Sequence, residues 1–199
     1  MNSLNIVFRT CSGIMAAHNK GNNTPRFPFP WFKDITKEEI IFRSLYSLIK
    51  SINKAIMKGE KEIALTIVDD HSYDSFLEKI NKLLERCFCK SVVVSMEDTG
   101  QGASIGAAQK WALSNADEYV FFSEDDYLYD ENVVLECMLS HSIFENRLGH
   151  EVALFPCDYP DNYRRPEFVN SPSYVAIGVI VIGELLQIQQ ILLLFLKIY

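Results

Sequence analysis

Glu124, Asp125 and Asp126 follow Ser123 at the end of the apolar run "YVFF" (119–122). A second acidic pair, Asp69 and Asp70, closes another apolar run, "EIALTIVDD" (62–70). Neighbouring carboxylates raise one another's ionisation cost unless a positive charge sits among them. Two kinds of site suit such a cluster. One is a hydrated turn, with Asp130 and Glu131 capping the helix that follows. The other is a ligand set for a hard divalent cation, which prefers oxygen donors. A single acidic pair after a strand is common in turns. Two on one edge of a sheet point to a binding site.

The elements that position these residues follow from hydrophobic period. "LNIVF" (4–8), "EIALTIVDD" (62–70), "SVVVSM" (91–96), "YVFF" (119–122) and "VALFP" (152–156) are short apolar runs and read as strands. Thr36 and Glu39 form a capping box, and Ile40, Ile41, Leu45, Leu48, Ile49, Ile52 and Ile56 keep a helical period until Gly59. Ser72 or Asp74 can cap a second helix carrying Phe76, Leu77, Ile80, Leu83 and Leu84. Residues 104–115 and about 131–146 supply two more. Strand and helix alternate at βαβ spacing, and the strands are apolar throughout, as when helices cover both faces. The expected fold is α/β, a mostly parallel sheet flanked by helices. Ligands of such sheets bind beyond the carboxyl ends of the strands, where both acidic groups fall.

Composition narrows the class. At 199 residues the chain can bury one full core, and a net charge of −7 argues against a nucleic-acid surface. The N-terminus is a poor signal peptide, because Arg9 interrupts its short apolar stretch. The five cysteines form no ligand-spaced set. They read as reduced thiols of a cytoplasmic protein. "GQGASIG" (100–106) lacks dinucleotide-fingerprint spacing and the Lys-Ser/Thr of a P-loop. It is either a helix-entry turn or a bend whose free amides favour an anion.

Taken together these blocks resemble a glycosyltransferase of the GT-A fold, family 2. "VDDHSYD" (68–74) is similar to that family's Val-Asp-Asp-Gly-Ser-Thr-Asp motif, with His71 in place of glycine. "GASIGAAQKWALSNADEYVFFSEDD" (102–126) resembles the later block that ends in Asp-x-Asp, here spelled Glu-Asp-Asp. Ungapped, Glu118 and Tyr119 fall on the family's Glu-Tyr, Gln109 on its asparagine and Ala108 on its arginine, so that a cation is missing. The likeness covers roughly residues 4 to 156.

The resemblance implies a role for each group. Asp69 and Asp70 would bind the base and ribose of a nucleoside diphosphate sugar, with Gln109 and Asp125 also on the donor. Asp126 would ligate Mn²⁺ or Mg²⁺ directly and Glu124 through water. The cation would neutralise the leaving diphosphate. The acceptor is an unspecified glycan, lipid or protein hydroxyl. Asp158 and Asp161, in "FPCDYPDNYRRPEF" (155–168), are candidates for the base that deprotonates it. Arg164 and Arg165 are turn arginines or phosphate contacts. The aromatic loop around Phe27, Phe29, Trp31 and Phe32 either covers the donor or packs on the sheet.

The expected division is a nucleotide-sugar-binding domain over 1–172 and an apolar tail over 173–199. The tail carries only Glu184 and Lys197 as charges. It is long enough to span a bilayer, but Glu184 near its middle would cost about 2.5–3.5 kcal/mol there. A buried strand at 174–182 followed by an apolar helix is a soluble alternative, and peripheral membrane contact another. The family's charged acceptor-site residues are missing from this stretch, as a truncated or frame-damaged C-terminus would explain. Two other functions fit the same residues: a catalytically defective nucleotide-sugar-binding protein, or a nucleotidyltransferase. The second requires a basic glycine-rich loop after the first strand, which "RTCSGIMAAHNKG" (9–21) matches poorly.

Overall fold

The computed structural model describes residues 3–13, 35–60, 62–149, 153–154, 173–176, 179–182 and 195–197. Its elements are β1 (Leu4–Thr10), α1 (Lys37–Met57), β2 (Ile63–Asp69), α2 (Asp74–Leu84), β3 (Lys90–Ser95), α3 (Gln101–Asn115), β4 (Tyr119–Ser123) and α4 (Val133–Leu148). The strands β5 (Ser173–Ala176), β6 (Val179–Ile182) and β7 (Phe195–Lys197) complete the set. Five strands form one sheet in the order β3-β2-β1-β4-β7. The first four are parallel, and β7 joins β4 antiparallel. β5 and β6 form a separate antiparallel pair. The expected α/β sheet with flanking helices is what the chain adopts.

Strand order explains where the helices lie. The chain moves outward from β1 to β2 to β3, then returns to place β4 on the other side of β1. A right-handed crossover in each direction puts the connecting helices on opposite faces. Leu4, Ile6, Phe8, Leu65, Ile67 and Phe121 accordingly bury one face under α1, α2 and α4. Val7, Val68 and Val120 face the other way, against Ala108 and Ala112 of α3. Two alanines let α3 lie close on that valine layer. β1 and β4 therefore flank the topological switch point, the crevice that open α/β sheets use for ligands.

The helix ends mostly follow local chemistry. Thr36 Oγ1 accepts from Glu39 N at 3.1 Å, half of the expected capping box. The Glu39 carboxylate instead takes Arg43 Nε at 2.6 Å, one turn on. Gly59, at φ +110°, follows the last turn of α1 as a glycine stop should. α2 departs from expectation: Tyr73 is its N-cap, and no side chain caps it. Ser72 is engaged elsewhere, since its Oγ accepts from Ser12 N at 2.9 Å. At α4, Ser51 of α1 supplies the acceptor for the buried amide of Val134 at 3.0 Å.

Of the expected strand at 152–156, only residues 153 and 154 are described; Leu154 is a buried single bridge residue. In the tail, the single strand expected over 174–182 is instead two short strands, 173–176 and 179–182, paired antiparallel, and 195–197 is a strand and not part of an apolar helix. The edge of β4 explains this, because an open row of backbone donors and acceptors attracts another strand. Phe195, Leu196 and Lys197 pair with Phe121, Val120 and Tyr119. Among the described residues no helix is long and apolar enough to cross a membrane.

Deleting 185–199 should therefore expose the backbone of β4 and cost about 2 kcal/mol, at roughly 1 kcal/mol net for each hydrogen bond lost. Denaturant melts with amide exchange at Val120 test this. Unchanged protection would mean that β7 does not hold the edge.

Candidate nucleotide-sugar site

Parallel register brings the acidic groups to one end of the sheet. Thr10 pairs with Asp69, and Phe8 with Ser123, so β1, β2 and β4 end side by side. The cluster after β4 divides three ways. Glu124 follows Ser123 and lies alongside Arg9 of β1, with which it forms an ion pair. The same guanidinium donates from Nη1 to Ser104 Oγ of α3 at 2.8 Å. Asp125 turns to the opposite face, where Lys37, the first residue of α1, reaches its Oδ1 at 2.6 Å. Its Oδ2 accepts from Cys11 N at 3.3 Å. Asp126 is exposed to solvent.

Two cations thus sit among three carboxylates. Arg9 was not legible as a site residue in the sequence, nor was Lys37. The available signal was a charged residue inside an otherwise apolar strand. The position that resembles the family's arginine is Ala108, which is fully packed against valines. Arg9 brings a cation to the same crevice from β1 instead of from α3: Arg9, Ile105, Ala108, Gln109, Ser123 and Glu124 line one small cleft. Gln109 is thereby brought to the cluster.

Backbone anchoring holds the turn in place. The carbonyl of Glu124 accepts from Tyr129 Oη at 3.0 Å and from Ser44 Oγ at 3.3 Å. Tyr129 Oη also lies 2.6 Å from Ser123 Oγ, and its amide donates to Ser47 Oγ at 3.0 Å. Residues of α1 therefore fix both ends of the 124–129 loop.

The β2 pair splits by role. Asp70 is buried with both oxygens engaged. Oδ2 accepts from Gly100 N at 2.9 Å, tying β2 to the entry of α3, and Oδ1 lies 3.0 Å from His71 Nδ1. The glycine-rich turn is thus a helix entry clamped by a carboxylate. Asp69 is equally buried, but only Oδ2 has a partner, Ser72 N at 3.1 Å. Its Oδ1 has none among the described residues, nor do Thr10 Oγ1 and Ser12 Oγ nearby. These three buried oxygens at the ends of β1 and β2 could take a ligand's polar edge.

The loops after β1 and β2 touch. A Cβ on Gly13 would lie 1.7 Å from the carbonyl oxygen of His71, so only glycine fits there. His71 itself adopts φ +56°, the left-handed region that the glycine of the similar motif would occupy without strain. Its ring is half-exposed at the cluster's rim.

Burial raises the pKa of the carboxyl groups in this region. It pushes the Asp69 carboxyl up, and hydrogen bonds from Ser72 offset this only in part. Burial likewise raises Glu124 more than Arg9 lowers it, and raises Asp125 against the pull of Lys37. Asp158 and Asp161 lie outside the described residues, as do Arg164, Arg165 and the aromatic loop. Among the described residues no group of three or more His, Cys, Asp or Glu side chains forms a metal cage.

Arg9→Met should cost about 3 kcal/mol at neutral pH, because it strands a partly buried carboxylate. Glu124 already carries a raised pKa. A raised value in the fold favours the folded state at acid pH, and that contribution is lost as pH rises through it. The deficit of the variant should therefore shrink as Glu124 takes up a proton. Denaturant melts at neutral and mildly acid pH read this directly. An equal deficit at both would show that Arg9 acts through packing alone.

The sequence profile of "Glycosyl transferase family 2" matches residues 36–165. No curated protein matches. Among solved structures, S. aureus TarS 1–349 is similar at 19% identity and a TM-score of 0.45, over 73% of this chain and 32% of that one. The same protein in complex with UDP-GlcNAc gives 18% identity and a TM-score of 0.45, over 73% of this chain and 31% of that one. A putative nucleotide-diphospho-sugar transferase from Desulfovibrio desulfuricans G20 gives 12% identity and a TM-score of 0.44, over 77% and 57%. This chain spans about a third of the TarS 1–349 length. With the profile covering well over half of the sequence, including α1, both acidic motifs and α4, the chain belongs to glycosyl transferase family 2.

Proposed function

We propose that this chain binds a nucleoside diphosphate sugar at the carboxyl edge of its sheet, as the donor-binding part of a transferase that delivers the sugar to an acceptor hydroxyl. The observation that carries the reading is the unequal state of the carboxylates. Asp69 keeps a buried oxygen without a partner among the described residues, next to Thr10 and Ser12. Asp126 stays exposed while its two neighbours are neutralised. Asp69 suits a base N–H or a ribose hydroxyl, both of which donate. Asp70 would act from behind, since both its oxygens are already used. Family membership and a TarS complex that carries UDP-GlcNAc support the donor class.

A divalent cation fits this site only together with substrate. Mg²⁺ and Mn²⁺ in phosphate sites take one or two carboxylates plus phosphate oxygens and water. Asp126 is the carboxylate free to serve, with Glu124 reaching the ion through water beside Arg9. Asp125 remains on Lys37 and the Cys11 amide, with both oxygens used, and would support the donor-binding turn from behind. When bound, the cation would neutralise charge on the departing diphosphate. Arg9 sits at the same edge and would add fixed positive charge. Asp158 and Asp161 are the candidate bases for the acceptor hydroxyl. A second reading, nucleotide-sugar binding without a cation, draws on the Arg9 and Lys37 pairs, which already neutralise two of the three carboxylates.

Calorimetric titration with UDP-, GDP- and dTDP-sugars, with and without Mn²⁺, separates the readings. Donor binding strengthened by Mn²⁺, and lost in Asp126→Ala with the fold intact, is the expected result. Binding that is indifferent to Mn²⁺ and to D126A selects the cation-free reading. No binding to any nucleoside diphosphate overturns both.

Asp69→Asn gives an independent check. Its raised pKa means that the charged form costs the fold stability above the ordinary carboxylate range. The neutral amide should hold or raise the melting temperature at neutral pH, while nucleotide affinity falls about tenfold, one lost hydrogen bond to a charged acceptor. A variant with both stability and affinity unchanged would remove Asp69 from the site.

A further inference from the structure

At the amino end of β3, away from the carboxylate cluster, "RCFCK" (86–90) brings two thiols together. Cys87 Sγ and Cys89 Sγ lie 3.3 Å apart. Side chains two residues apart on a strand share a face but stand nearly 7 Å apart along it. The contact therefore needs a tucked backbone. Two features supply it. Cys87 N closes a turn on Leu84 O at 2.9 Å. Asn53 of α1 grips the same segment at both ends: its Nδ2 donates to Arg86 O at 2.8 Å, and its Oδ1 accepts from Phe88 N at 2.8 Å. An amide from a neighbouring helix thus holds the turn in the shape that sets sulfur against sulfur. Both cysteines are free and half-buried, so a small reagent can reach them. Phe88 between them is exposed. No step of donor binding uses this pair.

We infer that Cys87 and Cys89 are a redox-active dithiol that closes to a disulfide by exchange with a small aliphatic disulfide. Cys87 attacks as thiolate on one sulfur of the reagent, forming a mixed disulfide and expelling the first thiolate. Cys89 then loses its proton to solvent and attacks Cys87 sulfur, expelling the second. The protein dithiol gives up two hydrogens, and the reagent disulfide is reduced to two thiols.

The electrostatics assign the order. The hydrogen bond between the two sulfurs lowers Cys87 to about 7 and, with burial, pushes Cys89 up. Cys87 is thus the nucleophile and Cys89 the resolving thiol. At neutral pH the gain in thiolate outweighs the loss in intrinsic nucleophilicity, for a net advantage of about five- to tenfold over an ordinary thiol.

The full chain, fully reduced, is treated with oxidised glutathione near neutral pH and followed by intact mass and peptide mapping. The expected product is the chain less two hydrogens, with the bond mapped to Cys87–Cys89. Cys89→Ser should halt at a glutathione adduct on Cys87. Cys87→Ser should react about five- to tenfold more slowly. A parent that accumulates the same stable adduct as C89S would overturn the inference. So would a C87S variant oxidised at the parental rate, or a disulfide that maps to Cys11, Cys137 or Cys157.

Discussion

A guanidinium in a parallel sheet is the constraint around which this site is arranged. Arg9 occupies the strand position two residues after Val7, on the face covered by α3. It is too far inside to be hydrated as a surface arginine would be, so it must find a carboxylate and a hydroxyl. Glu124 and Ser104 are those partners. Their positions fix β4 against β1 and α3 against both. Once Glu124 faces α3, its neighbour Asp125 falls on the other face, where Lys37 meets it. The third carboxylate is left for solvent. The one open acid at the strand mouth is thus a result of two closed ones.

The same division explains why three adjacent acids are tolerated. Two are held by cations and by the amide of Cys11, yet burial still raises them. The cluster retains electrostatic tension that a further positive charge would relieve. A ligand or ion bringing such a charge meets a loop already anchored by Tyr129, Ser44 and Ser47. Little ordering would remain to be done on binding.

Much of this was readable in the sequence. The βαβ period, the helix over 37–57 with Thr36 at its head, and the two acidic motifs on one edge follow from apolar spacing and cap chemistry. What could not be read depended on register. Arg9 looked like an end to an apolar stretch, because only the pairing of Phe8 with Ser123 sets it beside Glu124. Asp69 and Asp70 looked equivalent, because the difference lies in a contact to Gly100 thirty residues on. Ser72 looked like a cap, but the close approach of Gly13 to His71 draws it to the first loop. Residues 195–197 looked helical by apolar content, and an unfilled strand edge decided otherwise.

The strand order also bears on how the chain reaches this state. β1 can pair with β2 after one helix, but its pairing with β4 must wait for a segment more than a hundred residues away. Such distant closures are slow steps in folding. A half-sheet of β1, β2 and β3 would leave β1 as its edge, with Arg9 open to water and no carboxylate beside it. The arrival of β4 strips that water and supplies Glu124 in the same step. The ion pair at the switch point therefore ties the desolvation of Arg9 to the joining of the two halves of the sheet.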